Sequence, residues 1–255
     1  MSRQIIAVTG ADARGFLQGL VTNDIEQAVK DGIIWAAMLT PQGKYLSDFF
    51  ILSRPDGFWL DVDAGQAATL VQRLGMYKLR SKVDLAEVDV PVTLGTGPTP
   101  EGALPDPRHP AMGWRLYGAE GSGEAGDQLS EAERDAIRVE HVIPETGIEL
   151  IPNDSFILEV GFERLHGVHF HKGCYVGQEV TSRMKHKATL RKGLIQVAVE
   201  GSAPVGTPIL TENGREAGTL YTQAGGHGLA HMRFDRIGPG LTAGDAKVTA
   251  SPPGE

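Results

Sequence analysis

The chain has 255 residues, a net charge of −8, a pI near 5.5 and one cysteine. That length fits about two structural units; a lone cysteine excludes an intramolecular disulfide and any four-thiolate metal site, and suits a reducing compartment. The acidic balance disfavours a protein that grips nucleic acid through phosphates.

From the start, residues 5–8 (Ile-Ile-Ala-Val) read as a strand. A helix over 12–20 follows, with Phe16, Leu17 and Leu20 on one face, ended by Thr22, Asn23 and Asp24. Residues 33–40 and 45–53 are strands joined by the turn Pro41-Gln42-Gly43-Lys44, and 57–62 adds a third. Asp63 can cap a helix over 64–74, where Ala67, Leu70, Val71 and Leu74 recur at helical spacing. Strand returns over 83–92. The glycine- and proline-rich stretch 95–110 reads as a surface connection or the remnant of a shortened lobe. Ser130 and Glu133 form a capping-box pair heading a helix to about His141. Beyond Arg191 short strands alternate with Gly201, Pro204, Pro208, Asn213-Gly214, Gly225-Gly226 and Gly238-Pro239-Gly240, a spacing that suits a small antiparallel barrel. The predicted class is α+β, with an α+β region over 1–190 and a β-barrel over 191–255.

Gly121-Ser-Gly123-Glu-Ala-Gly126 fits G-x-G-x-x-G, but no strand leads into it, and it reads as an acidic turn. P-loop, H-E-x-x-H and G-x-S-x-G motifs are absent from the sequence. The opening residues lack the basic and apolar runs of a signal peptide, and no segment approaches the ~20 apolar residues of a membrane span, so a cytoplasmic protein is expected.

Cys174 is the most informative residue. It lies in Lys172-Gly173-Cys174-Tyr175-Val176-Gly177-Gln178-Glu179. Across 163–192 seven basic residues (Arg164, Lys172, Arg183, Lys185, Lys187, Arg191, Lys192) oppose Glu163 and Glu179, an excess of +5 that leaves −13 for the remainder. Nearby cations or a helix N-terminus lower a thiol's pKa, and the segment 178–184 would put such a terminus at or just after Cys174, with Lys172 and Arg183 as reinforcing cations. Gln178 and Glu179 could orient a ligand or cap that helix. The bland alternative, a small buried hydrophobe, fits poorly with the flanking glycines and polar residues. His166, His169 and His171 could be metal ligands, but histidines on a solvated strand face are commoner, and no stably bound metal is predicted.

Lys172-Gly-Cys-Tyr-Val-Gly-Gln-Glu179 followed by Arg183 resembles the signature K-G-C-Y-x-G-Q-E-x-x-x-R of the YgfZ proteins. The resemblance extends to Gly10 through Asp24, to Pro41-Gln-Gly-Lys44 through Asp48, to Tyr77-Lys-Leu-Arg80-Ser-Lys-Val83 and to Arg138-Val-Glu140. It implies the fold shared with the aminomethyltransferase T-protein of glycine cleavage: an N-terminal α+β region around a central folate cavity, then a C-terminal barrel. It also implies tetrahydrofolate or a derivative as cofactor, with Asp48 and Glu140 as candidate contacts, and assistance to iron–sulfur assembly or client proteins, including tRNA-modifying radical enzymes, through Cys174. Two departures stand out: Glu140 is followed by His141 where the family usually has glycine, and the 95–110 connection is short. Whether the protein is an enzyme stays open; the leading expectation is a non-enzymatic or weakly catalytic assembly factor. The alternative is a folate-dependent one-carbon transferase using Asp48 and Glu140. Direct tRNA binding through 183–192 is the weakest reading, because stacking aromatics are few.

Overall fold

The computed structural model describes residues 2–118, 128–187 and 190–252, so the G-x-G-x-x-G stretch lies outside the described residues. The chain divides into two compact units, 1–129 with 163–180, and 130–162 with 181–255.

The first unit is built on a five-stranded antiparallel sheet in the order β2-β3-β4-β1-β5. Its strands are β1 (Arg3–Thr9), β2 (Ile33–Leu39), β3 (Tyr45–Arg54), β4 (Gly57–Asp63) and β5 (Asp84–Val88). The hairpin expected at Pro41 to Lys44 joins β2 to β3, with Thr40 and Lys44 closing it through a 2.8 Å backbone bond. Alternate residues Ile6, Val8, Ile34, Ala36, Met38, Phe49, Ile51, Leu60 and Val62 form one apolar face. Against it pack α1 (Ala13–Gln18), α2 (Ile25–Asp31) and α3 (Ala64–Lys78), through Leu17, Ile25, Ala28, Leu70 and Leu74. Asp63 caps α3, accepting from Gly65 N at 2.9 Å. Sequence periodicity missed α2. Asp24, read as a helix end, also begins the next helix, accepting from the Glu26 amide at 3.1 Å.

The expected strand 83–92 is two strands, β5 and β6 (Val92–Gly95), because Pro91 lacks a ladder donor. β6 pairs with β8 (Trp114–Tyr117), which also pairs with the short β7 (Leu104–Pro105). The 95–110 segment is therefore more than a surface connection. Asp106 and Arg108 within it are buried, ion-paired at 2.8 Å, and the guanidinium of Arg115 on β8 reaches both Asp61 and Asp106. That guanidinium lies 3.7 Å from the Phe50 ring centroid. Arg108 and Arg115 thereby cover Trp35 and Phe50 on the face of β2 and β3 opposite the apolar core.

The second unit contains a closed six-stranded antiparallel barrel, β10-β11-β12-β9-β14-β13. Its strands are β9 (Lys192–Glu200), β10 (Thr207–Leu210), β11 (Glu216–Ala224), β12 (His227–Arg233), β13 (Leu241–Ala243) and β14 (Ala246–Thr249). Pairing of Ile209 with Ala243 closes the ring around Val197, Ile209, Leu220, Ala230, Met232 and Val248. The helix α4 (Glu131–His141) begins with the expected capping box. Residues 130–162 group with the barrel, ahead of the boundary read near residue 190. Glu149 accepts from Arg138 and, at 2.6 Å, from the Thr222 hydroxyl, so α4, the 145–149 turn and β11 share one buried polar cluster. The helix α5 (Gln178–Lys187) precedes the barrel.

Candidate functional site

The loop carrying Cys174 belongs to the first unit and has little regular structure of its own, yet buried bonds hold it at several points. Thr22 Oγ1 donates to Gly167 O at 2.7 Å and accepts from Ala37 N at 2.9 Å. Asn23 Nδ2 donates to Trp35 O at 2.8 Å and His166 O at 2.7 Å. The His169 amide donates to Thr22 O, and Val176 N donates to Gly19 O. Buried amides and hydroxyls bonded this way act as clamps, since breaking one strands a desolvated partner.

Lys172 is the central fastener. Only 8% exposed, its ammonium donates to the carbonyls of Gln18 at 2.8 Å, Val21 at 2.5 Å and Asn23 at 2.9 Å, where α1 ends. Three donors meet three carbonyls, that of Gln18 at the end of α1 and those of Val21 and Asn23 in the connection to α2. It also lies 5.0 Å from the ring centroid of the buried Tyr175. Burial lowers its pKa to about 8, with Asp24 pulling the other way. The sequence assigned Lys172 to favouring the thiolate; the structure commits its ammonium to holding the loop.

At the far end of the loop Gly177 has φ of +84°. A Cβ there would sit 2.6 Å from Thr40 O and 2.9 Å from Leu39 Cβ, so only glycine lets the chain pass the β2–β3 turn. Gly43 in that turn, at φ +76°, comes as close in return, since its Cβ would lie 2.8 Å from Val180 Cβ. Between the two fastenings Gly173 and Cys174 are exposed. The thiol is thus offered to solvent from an anchored loop. It lies four residues ahead of Gln178, the first residue of α5, so the thiol comes before the helix start and not at it, the second of the two placements the spacing allowed. Gln178 is half-buried, while Glu179 and Arg183 are exposed on α5.

Asp48 lies on β3, 6% exposed. One carboxylate oxygen accepts from Trp35 Nε1 at 2.8 Å and the other from Tyr45 OH at 2.7 Å. Neighbouring Ser47 donates to Gln66 at 2.6 Å. Glu140 is exposed on α4, in the second unit. His169 and His171 meet edge to face at 6.0 Å between centroids, and His166 is exposed at φ +57°. Among the described residues no group of three or more His, Cys, Asp or Glu side chains could hold a metal ion. Sequence reasoning missed Thr22 and Asn23 as loop clamps. Their signal was the polar run Thr22-Asn23-Asp24 between Val21 and Ile25, which also reads as an ordinary helix end.

Three comparisons bear on this arrangement. Residues 191–255 match the family model described as CAF17, C-terminal beta-barrel domain. Two relatives are the iron-sulfur cluster assembly factor IBA57, mitochondrial, of Mus musculus and of Homo sapiens; each is 31% identical over 92% of this chain and 76% of its own length. A Neurospora crassa homolog is 34% identical over 80% of this chain, which spans 54% of that relative's length. The crystal structure of glycine cleavage system aminomethyltransferase T from Bartonella henselae superposes with a TM-score of 0.74, covering 98% of this chain and 83% of that one, at 13% identity. The chain therefore has the aminomethyltransferase fold expected from its sequence. No described helix is long and apolar enough to cross a membrane.

Proposed function

Because the chain belongs to the family of the iron–sulfur cluster assembly factor IBA57, we propose that it helps assemble or repair iron–sulfur clusters in client proteins, with Cys174 as its functional thiol. One observation carries the proposal: the only cysteine is exposed on a loop whose flanks are fixed by Lys172, Asn23 and Gly177. A cluster is cargo here. One thiolate cannot hold it alone, so the remaining ligands come from a partner protein or a small thiol. Ligation costs the thiol its proton, and the thiolate is the ligating form. Fixing the flanks lowers the entropy lost when the thiol joins a shared site.

The finer resemblance to YgfZ proteins adds tetrahydrofolate and tRNA-modifying radical enzymes as clients to the same proposal. The two residues it assigns fit folate unequally. Glu140 is exposed and able to accept paired N–H donors from a pterin edge, whereas Asp48 already takes hydrogen bonds from Trp35 and Tyr45 on both oxygens. Hydrogen bonds that hold both Asp48 oxygens against the sheet leave it less open to a folate amine, which supports the assembly reading over one-carbon transfer. We assign no step to folate. The cysteine usage suits a reducing compartment such as the cytoplasm, while the relatives' names read mitochondrial; fractionation of source cells separates the two.

Complementation tests the proposal. In cells lacking the gene, Cys174→Ser should fail to restore iron–sulfur enzyme activity while the purified variant keeps its melting temperature and its tetrahydrofolate affinity, and Glu140→Ala should weaken that affinity. Aminomethyl transfer by the purified protein, together with a fully active Cys174→Ser, would overturn the assembly role.

A further inference from the structure

A separate feature lies at the corner between α3 and β5. Residues 73–82 carry Arg73, Lys78, Arg80 and Lys82 with no acid, in a chain of net charge −8. Within that basic segment Met76 is 60% exposed, Tyr77 38% and Leu79 88%. A large apolar side chain this open is ordinary when isolated, but three within four residues, in a segment with four cations of which Lys78 pairs with Asp84, form a patch. Leu79 also sits at φ +42°, ψ −107°, a backbone conformation that suits glycine. Strain of this kind persists where surrounding structure enforces it, and it clusters at functional positions. The enforcement is visible: Asp12 accepts from Lys82 N at 2.7 Å and its own amide donates to Lys82 O, tying the turn after Leu79 to the start of α1. Beside the protruding leucine lies a depression wide open to solvent, with Asp12, Leu79, Arg80 and Ser81 in its wall.

We propose that this corner docks an acidic protein partner, with Leu79 as the apolar anchor and Arg80 and Lys82 as flanking cations. A central apolar side chain inside a polar rim is the anatomy of an interface hot spot, and the cations complement an acidic rim on the partner. The neighbouring hollow, with a carboxylate in its wall, receives a side chain from a partner surface. A flat anionic bilayer has no side chain to place there. The site is independent of Cys174 and of any folate.

Photo-crosslinking tests it. The full-length chain with Tyr77→p-benzoylphenylalanine is irradiated in source cells and the adduct identified by mass spectrometry; the same probe at Val205, exposed but on the barrel unit, is the control. The expected result is one dominant adduct from position 77, absent from 205, with a protein of net negative charge. That protein, purified, is then the titrant. Leu79→Asp and Arg80→Glu should each weaken its binding at least about ten-fold, with unchanged melting temperature. Leu79→Gly should weaken binding while raising the melting temperature, because glycine relieves the strain. Cys174→Ser should leave adduct and affinity intact, so failure here and failure of the thiol proposal are told apart. Absence of an adduct, adducts only with lipid, RNA or another copy of this chain, equal adducts from position 205, or an affinity indifferent to Leu79→Asp would each overturn the proposal.

Discussion

Gly177→Ala tests whether the Cys174 loop is held as described. The added Cβ meets Thr40 O at 2.6 Å and Leu39 Cβ at 2.9 Å, the first residue of the turn to β3 and the last of β2, where the backbone is tied by the Thr40–Lys44 bond and has little room to yield. Two costs add. Placing an L-residue in the left-handed region costs about 1–2 kcal/mol. Forcing a methyl against a packed backbone carbonyl adds about 1–3 kcal/mol. The expected loss is therefore about 2–5 kcal/mol, a large part of the ~5–15 kcal/mol typical of a folded protein. Urea unfolding measures it as a lower midpoint at constant slope. Maleimide labelling of Cys174 reads the local consequence, a changed rate once the loop slips from the β2–β3 turn. Gly43→Ala probes the same contact from the other side, and because both variants push the same segments apart, the double variant should lose less than the two single losses combined. A loss below about 0.5 kcal/mol in Gly177→Ala, with labelling unchanged, would refute the close approach and with it the fixed-loop basis for thiol function.

Two further expectations concern buried charge. Lys172→Met strands the carbonyls of Gln18, Val21 and Asn23 and should cost about 1–3 kcal/mol at neutral pH. Its pH signature has a definite sign. The unfolded lysine keeps its proton to near 10.5 while the folded one releases it near 8, so its contribution to stability should rise as pH climbs through that window, a slope that Lys172→Met should remove. At acid pH the Asp61–Arg115–Asp106 cluster matters. Burial on its own would raise both carboxyls, but Arg115 with Arg3 outweighs it at Asp61, and Arg108 with Arg115 outweighs it at Asp106, leaving both below the ordinary 3.8. Their stabilisation is present above that value and is lost as pH falls through the folded pKa values. Arg115→Met leaves the carboxylates short of a partner and should cost about 3–5 kcal/mol at pH 7, with the difference from wild type shrinking as the pH is lowered. A difference that stays constant with pH, followed by circular dichroism, would contradict the ion-pair account.

What the sequence determined was local. Two largely apolar runs on either side of the Pro41-Gln42-Gly43-Lys44 turn marked β2, β3 and the hairpin that joins them, because turn residues set the backbone angles available to the chain. The Ser130–Glu133 capping box announced α4 for the same reason: its partners are three residues apart. The glycine-punctuated strands beyond Arg191 likewise read as the barrel they form. Cys174 and its motif were legible as chemistry because a single thiol among glycines and cations is uncommon in a core. The tertiary structure decided which groups the motif residues meet. Lys172 is separated by about 150 positions from the carbonyls it binds, and no periodicity or spacing encodes a partner that distant. Asp48 was a candidate folate contact on its motif alone; that each of its oxygens accepts a bond, one from Trp35 across the β2–β3 pairing and one from Tyr45 three residues back on β3, is visible only in the structure. Asp106 and Arg108 lie in a stretch whose composition said surface, and Arg115 and Asp61 drew them inside. Burial turns polar residues from solvated ornaments into obligatory bonding groups, and burial is a property of the assembled chain.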